Sequence, residues 1–340
     1  MQKNNKAWPK VSVIISNYNG VKLNLLEESL SAIFKNNYPN LEVILVDNAS
    51  YDDSVKVARE KFSKLKIVQN PVNMYSQGLN LGIKSSSGDY LAFFNNDVVV
   101  KNDYFQKLIN FLEKEPNIAL VQGKLISYYD HQIIDSAGET MDSFGTPITI
   151  GAGMGAKHFN KQTEVLSVSG SCNILRKSAV ESIGYFDKDY GIGYEDLDLA
   201  LRAWMVGFKV VYYPYVYAFH KRGATDLSPM VRIKVRWHFN KNRIVTLIKN
   251  YPVLFLIRNL PVTIFIYFAA GIWEIIIKRH FKLGLTRFSA LIWVFLHLPL
   301  ILKKRREIQL NARSSGKKII LKLIHDKAIM SSFSSFLKLK

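Results

Sequence analysis

The chain has 340 residues, 48% of them hydrophobic, which is enough for one large core and an appendage. Its formal charge of +19 is unevenly placed: residues 1–220 carry 22 Lys and Arg against 23 Asp and Glu, and residues 221–340 carry 24 against 4. The single cysteine, Cys172, excludes an intrachain disulfide and fits a reducing compartment. The basic last third has neither zinc-type Cys/His spacing nor an RNP-type sequence, which argues against nucleic acid as its partner.

The start, MQKNNKAWPK, lacks the apolar core of a secretory signal, so the first domain is expected to stay in the cytosol. Residues 11–16 (VSVIIS) are apolar and β-branched and end in Asn17, Tyr18, Asn19 and Gly20, a strand followed by a turn. Residues 23–34 have helical spacing, and residues 41–46 (LEVILV) form a second strand stopping at Asp47, Asn48, Ala49 and Ser50. Asp52 and Asp53 then open a second helix, where carboxylates suit the dipole. Alternation of this kind predicts βαβ units and a mostly parallel sheet, with residues 66–69 as its third strand. Asp47 has two readings, a turn-closing side chain or an acceptor for a base imide or ribose hydroxyl. No GxGxxG follows the first strand, which argues against the dinucleotide-binding class.

In residues 73–83 (NMYSQGLNLGI), Gly78 and Gly82 stand four apart and would leave one side of a helix bare for close approach of backbone or ligand. The run at residues 90–100 (YLAFFNNDVVV) reads as a strand buried on both faces that ends in Asn95, Asn96 and Asp97. Ligands sit outside the carboxyl ends of such strands, and Asp97 placed there can face a metal-bound phosphate; a mere turn followed by another strand is the alternative. Residues 104–112 read as a helix, 118–122 as a strand, 132–163 as loops and edge strands, and 168–176 as a resumed strand. Gly191 and Gly193 then give a mobile approach to a helix over 194–206. Glu195, Asp196 and Asp198 crowd its first turn: they complement the dipole, but three carboxylates exceed what a cap needs, and like charges raise one another's pKa, which suits a general base. Residues 209–213 and 216–219 read as two closing strands, the second reaching His220, which is either a structural histidine or a metal ligand partnering Asp97.

Residues 229–249 predict a basic helix. Apolar stretches at 260–277 and 283–302 then approach the roughly 20 residues needed to span a bilayer. Glu274, Arg287 and His297 count against spanning, and the basic connector Lys278, Arg279, His280 and Lys282 would face outside if both stretches crossed. A monotopic or peripheral arrangement on the cytoplasmic leaflet is therefore expected, with basic residues on anionic headgroups; packing on the first domain or on a second copy of the chain is the alternative. Residues 330–340 read as a frayed or surface-bound end.

In order, VSVIISNYNG, ILVDNAS, GDYLAFFNND, VSGSCNILRKSAVESIGYFD, GYEDLDLALRAWMVGFKVVYYP and YAFH resemble the glycosyltransferase family 2 enzymes of the GT-A fold, closest to the rhamnosyltransferase-like branch that builds bacterial cell-surface polysaccharides. The resemblance spans about residues 10–243. It implies an α/β catalytic domain at residues 1–227, membrane-associated helices at 228–310 and a basic tail at 311–340. Asn17, Tyr18, Asp47, Asn48, Gly78, Asn95 and Asn96 would bind the nucleotide sugar; Asp97 and His220 would hold Mg²⁺ or Mn²⁺; Asp196, with Glu195 beside it, would be the base. The implied reaction is inverting transfer of a sugar such as rhamnose from a nucleotide diphosphate to a lipid-linked or growing glycan. Relatives carry an NxGFAGGxNxG segment, whereas residues 73–82 are one residue shorter with Met74, Tyr75 and Gln77 in place of small residues. That departure keeps a degenerate membrane scaffold as an alternative, beside a nucleotidyltransferase on a similar sheet.

Overall fold

The computed structural model describes residues 8–22, 24–223 and 228–325, so the end read as frayed lies outside the described residues. β1 (Val11–Asn17) is buried along its whole length because it is central: it pairs in parallel with β2 (Leu41–Asn48) and with the strand at Tyr90–Asn95. α1 (Leu26–Phe34) crosses between β1 and β2, α2 (Ser54–Lys61) leads to the edge strand β3 (Lys66–Asn70), and α3 (Tyr75–Lys84) returns to β4 (Tyr90–Asn95). The run at 90–100 is a strand, a turn and a second strand, as the alternative reading has it. It breaks after Asn95, and β5 (Val98–Val100) pairs elsewhere, so the turn between them presents Asn96 and Asp97.

α4 (Tyr104–Lys114), β6 (Ile118–Ser127) and β7 (Ile134–Ser136) follow, then a hairpin of β8 (Glu139–Met141) and β9 (Pro147–Thr149), and the short β10 (Thr163–Glu164). β11 (Cys172–Arg176), α5 (Lys177–Ile183), α6 (Glu195–Val206) and β12 (Lys209–His220) complete the sheet, whose order is β10-β12-β6-β11-β4-β1-β2-β3. β11 runs against both its neighbours, and the short β5, β7 and β10 are also antiparallel to theirs; the other pairings are parallel. Residues 209–220 form one strand with a bulge between Tyr213 and Tyr217, not two.

Alternate residues feed two cores, as the period of a strand requires: Ile15 and Phe94 face α1 and α4, whereas Ile14 and Phe93 face α3 and α6. Gly82 lets α3 lie close, since a Cβ there would come within 2.5 Å of the Ile14 side chain.

The last third is α7 (Pro229–Asn250), α8 (Val253–Ile276), α9 (Phe281–Leu296), α10 (Leu298–Asn311) and α11 (Ser314–Leu323). From His238 onward α7 is almost wholly buried. The first apolar stretch begins earlier than its composition indicates, at Val253, and the second is broken at His297, where α9 and α10 meet at 68°. Glu274 and Arg287, charges that argued against a comfortable span, pair with each other at 3.0 Å, and Arg236 of α7 joins them. α11 lies on α6, where a Cβ on Gly316 would sit 2.2 Å from the Trp204 carbonyl oxygen. Contacts therefore cross both expected divisions of the chain.

Candidate active site

Three parallel strands end side by side, and their last residues form one hydrogen-bonded chain. Asn96 Nδ2 donates to Asn17 Oδ1 at 2.8 Å, and Asn17 Nδ2 donates to Asp47 Oδ1 at 2.8 Å. Asp47 also accepts from the Ser50 backbone N–H at 3.1 Å and from its hydroxyl at 2.5 Å, so its carboxylate closes its own turn as well as bracing Asn17. Asn48 and Gly78 meet each other. Asn48 donates to Ser16 Oγ and accepts from Asn70, and a Cβ on Gly78 would lie 2.2 Å from Asn48 Oδ1, so this pair seats α3 on the sheet. Tyr18 packs edge-on against Tyr51, which is 71% exposed at the rim.

Asp97 and His220 come together through the β5–β12 pairing, which sets Val98 opposite His220. Asp97 Oδ1 is buried without a hydrogen bond and stands 3.4 Å from His220 Nε2, beyond the usual range for such a bond. The opposite ring nitrogen, Nδ1, lies 2.8 Å from Asp135 Oδ2. An orphaned carboxylate oxygen facing an imidazole nitrogen, with an outer carboxylate orienting the ring, is the donor set a divalent cation takes. Among the described residues no three His, Cys, Asp or Glu side chains gather to enclose an ion. A cation here would complete its shell from phosphate oxygens and water. Burial alone would lower the His220 pKa, but the Asp135 and Asp97 carboxylates raise it to about 9, so a cation would displace a proton.

At the start of α6, Asp196 Oδ2 accepts from the Gly170 backbone N–H at 2.8 Å and Oδ1 from Leu197 N–H at 2.7 Å. Burial holds its carboxyl above the usual range despite these bonds. Glu195 is 5% exposed, its Oε2 has no partner, and burial, then the Asp196 charge, raises it well above the ordinary value. Asp198 does not belong with them: it accepts from Arg202 at 3.0 Å and pairs with Lys249 at 2.9 Å inside the protein. Gly191 and Gly193 are close-packed with positive φ, and a Cβ on either would come within 2.5 Å of His238 or Phe239 of α7. Tyr194 holds φ 72°, a costly left-handed conformation immediately before the acid pair. Asn242 fixes this approach by donating to the carbonyls of Tyr190, Ile192 and Gly193 at 2.9, 3.0 and 2.6 Å.

The two sides converge on Tyr75. Its hydroxyl donates to Asn95 Oδ1 at 2.8 Å and lies 3.2 Å from the oxygen of Gly170, whose N–H holds Asp196. Burial, then the charges of Glu195, Asp196 and Asp97, keeps this phenol neutral by raising its pKa well above the ordinary value. A cavity of about 250 Å³ elsewhere, lined by Asp187, Arg202, Lys249 and Lys304, contains none of these acids, and its lysines are paired with Asp187.

The model of glycosyl transferase family 2 matches residues 12–184, just over half of the 340 residues. The chain belongs to glycosyltransferase family 2. An uncharacterized glycosyltransferase of Haemophilus influenzae is 32% identical over 147 residues, covering 41% of this chain and 45% of that protein. The O-antigen biosynthesis protein RfbC of Myxococcus xanthus is 29% identical over 223 residues, 61% of this chain and 17% of its own length. The chain thus spans less than half of either relative. The mannosyltransferase PcManGT of Pyrobaculum calidifontis, solved with GDP-Man and Mn²⁺, superposes with a TM-score of 0.52 over 97% of this chain and 87% of its own, at 17% identity, which establishes the GT-A fold.

Within this family 2 site, sequence reasoning missed Asp135 and Gly170, and it gave no role to Tyr75 or to Asn242, whose Asn242-Arg243 pair resembles the family's habitual Asn-Arg. Asp135 lies in a segment without period and meets His220 across 85 residues, so nothing local marked it. Tyr75 did leave a signal, as a bulky residue where family members have small ones.

Proposed function

We propose that this family 2 member is a metal-dependent, inverting glycosyltransferase that moves a sugar from a nucleotide diphosphate to a hydroxyl of a lipid-linked or growing cell-surface glycan, with rhamnose the sugar favoured by the sequence resemblance. The observation that carries this is Tyr75, whose hydroxyl bonds to Asn95, two residues from Asp97, and lies 3.2 Å from the oxygen of Gly170, whose N–H holds Asp196. Asn17 and Asn95 at strand ends, and Asn96 in the turn after β4, would meet the nucleotide and diphosphate. Asp97 and His220 would hold Mg²⁺ or Mn²⁺, which supplies positive charge for a departing diphosphate. Asp196, with its raised pKa, takes the proton from the attacking hydroxyl, and its bonds to Gly170 and Leu197 keep it aimed. The nucleotide sugar and Mn²⁺ bound by PcManGT, and the O-antigen role in the name of RfbC, support donor type and pathway class.

Attachment to the cytoplasmic face of a membrane is part of the same reading. α8 is long and apolar enough to cross a bilayer. Leu254, Phe265 and Phe295 are 81%, 70% and 74% exposed, and the exposed Ile276, Ile277 and Phe281 flank the basic connector Lys278, Arg279 and Lys282. We read these helices as lying in one leaflet, because the connector is better placed on anionic headgroups than across the membrane.

The deciding experiment is a screen of nucleotide sugars for Mn²⁺- or Mg²⁺-dependent hydrolysis or transfer by the full-length protein. One donor should be consumed at a rate abolished by chelation. Consumption of no donor, or turnover indifferent to the metal, counts against the proposal. Flotation with anionic vesicles tests the attachment, and protein left in the dense fraction removes it.

A further inference from the structure

One stretch of the β12 edge is uncovered. β6 pairs along one side of the strand; on the other, β10 pairs at Val211 and Tyr212, and β5 at Ala218, Phe219 and His220. Around the bulge between these pairings, no strand among the described residues covers that side. A cavity of about 490 Å³ opens at this gap. Tyr215 and Tyr217 form its aromatic wall, 59% and 37% exposed. Lys101, Asn102, Asp103 and Lys107 form its polar wall, contributed by the segment after β5 and by α4. The rings are held in place: Tyr213 meets Tyr215 edge-on at 5.1 Å, and the Lys101 ammonium lies 5.4 Å from the Tyr217 ring.

We propose that this cavity binds a sugar residue of the acceptor glycan, away from the end that receives the new sugar. A pyranose has apolar C–H faces and a rim of hydroxyls, each both donor and acceptor. The cavity is divided in the same way, with tyrosine rings on one side and on the other an acceptor in Asp103, donors in the two lysines, and both functions in Asn102. A phosphate group would meet the Asp103 carboxylate, and an apolar peptide would leave the polar wall unsatisfied. Asp103 and Lys107 pair with each other at 2.7 Å, but both are about half exposed, so hydroxyls can compete for them. Along β12, Tyr217 lies three residues and Tyr215 five before His220, about 10 and 17 Å of strand. A short run of linked sugars covers that length. The inference rests on the transferase reading and adds to it a second hold on the acceptor, which raises affinity for long acceptors without touching the reacting atoms.

The test titrates the full-length protein with tetrasaccharides of glucose, mannose, galactose, rhamnose and N-acetylglucosamine, and with the matching monosaccharides, by saturation-transfer NMR. At least one tetrasaccharide should bind, and Tyr215→Ala/Tyr217→Ala should weaken that binding tenfold or more while nucleotide-sugar hydrolysis stays native. The inference is overturned if no tetrasaccharide binds, if the double variant binds as well as the native protein, or if the variant loses anionic vesicles instead of glycans. Should the double variant not fold, Asp103→Asn/Lys107→Gln probes the polar wall by the same readout, and unchanged affinity is again fatal. Hydrolysis by the native protein judges the transferase separately: hydrolysis without glycan binding removes the cavity alone, and glycan binding without hydrolysis removes the transferase alone.

Discussion

Asn17, Asp47 and Asn96 reach one another across neighbouring strand ends, whereas the approach to Asp196 hangs on helices from the last third of the chain. On the donor side each side chain is braced by the backbone geometry of the sheet, and the partners belong to one run of βαβ units. On the acid side, residues 187–198 are held by Asn242 through three carbonyls, by His238 on Tyr190 O at 2.9 Å, by Lys249 on Asp187 and Asp198, and by Lys304 on Asp187 and Asp189. Asp196 is thus set by the same helices that carry the exposed apolar surface or pack directly against it. The strand-end network would survive rearrangements of those helices that the acid pair would not.

The largest expected effect separates the sides by function. Asp196→Asn should lower turnover by about 10²–10⁴-fold and leave Mn²⁺-dependent nucleotide binding intact, whereas Asp97→Asn should lose both. Steady-state rates with equilibrium nucleotide binding decide it, and an Asp196→Asn protein with near-native turnover removes Asp196 from the base role.

A smaller effect separates them by stability. Burial alone would raise the Asp198 carboxyl, but Lys249 and Arg202 hold it well below the ordinary range, and Asp187 is likewise lowered by Lys249 and Lys304 against its burial. Carboxylates depressed by folding add stability that is complete above their unfolded pKa of about 4 and is lost as pH falls toward their folded values. Lys249→Met leaves that buried charge undercompensated and should cost about 3–5 kcal/mol at pH 7. The deficit should shrink as pH falls below about 4, read by denaturation at the two pH values. A deficit that is the same at both would show that packing, not charge, holds this segment.

The smallest effect tests the bridge between the sides. Tyr75→Phe removes one hydroxyl bond to Asn95, worth about 0.5–1.5 kcal/mol, and should slow turnover several-fold with little change in melting temperature. An unchanged rate would show that the two sides are positioned independently.

The donor side was largely legible because its signals are local. Apolar runs such as VSVIIS and LEVILV alternate over two faces and stop at Asn17 and Asp47, and a strand's polar end in an open parallel sheet is where ligands sit. The acid side was legible only as a crowded first turn. Periodicity reports which face of an element is buried but not what buries it, so the grip of Asp135 on His220 left no trace, and Asn242 stood out by resemblance without showing that it holds residues 190–193. The same limit hid the reversed direction of β11, whose five residues CNILR read alike in either orientation.

α11 lying across α6 bears on how the chain folds as it is made. A chain emerging from the ribosome can finish its side-by-side strand ends once β12 is out, but the helix carrying Asp196 is fastened only after residues 304 and 316 have followed. Synthesis would then settle Asn17, Asp47 and Asn96 before Asp196, so that a half-made chain has one half of the candidate site in place and the other still loose.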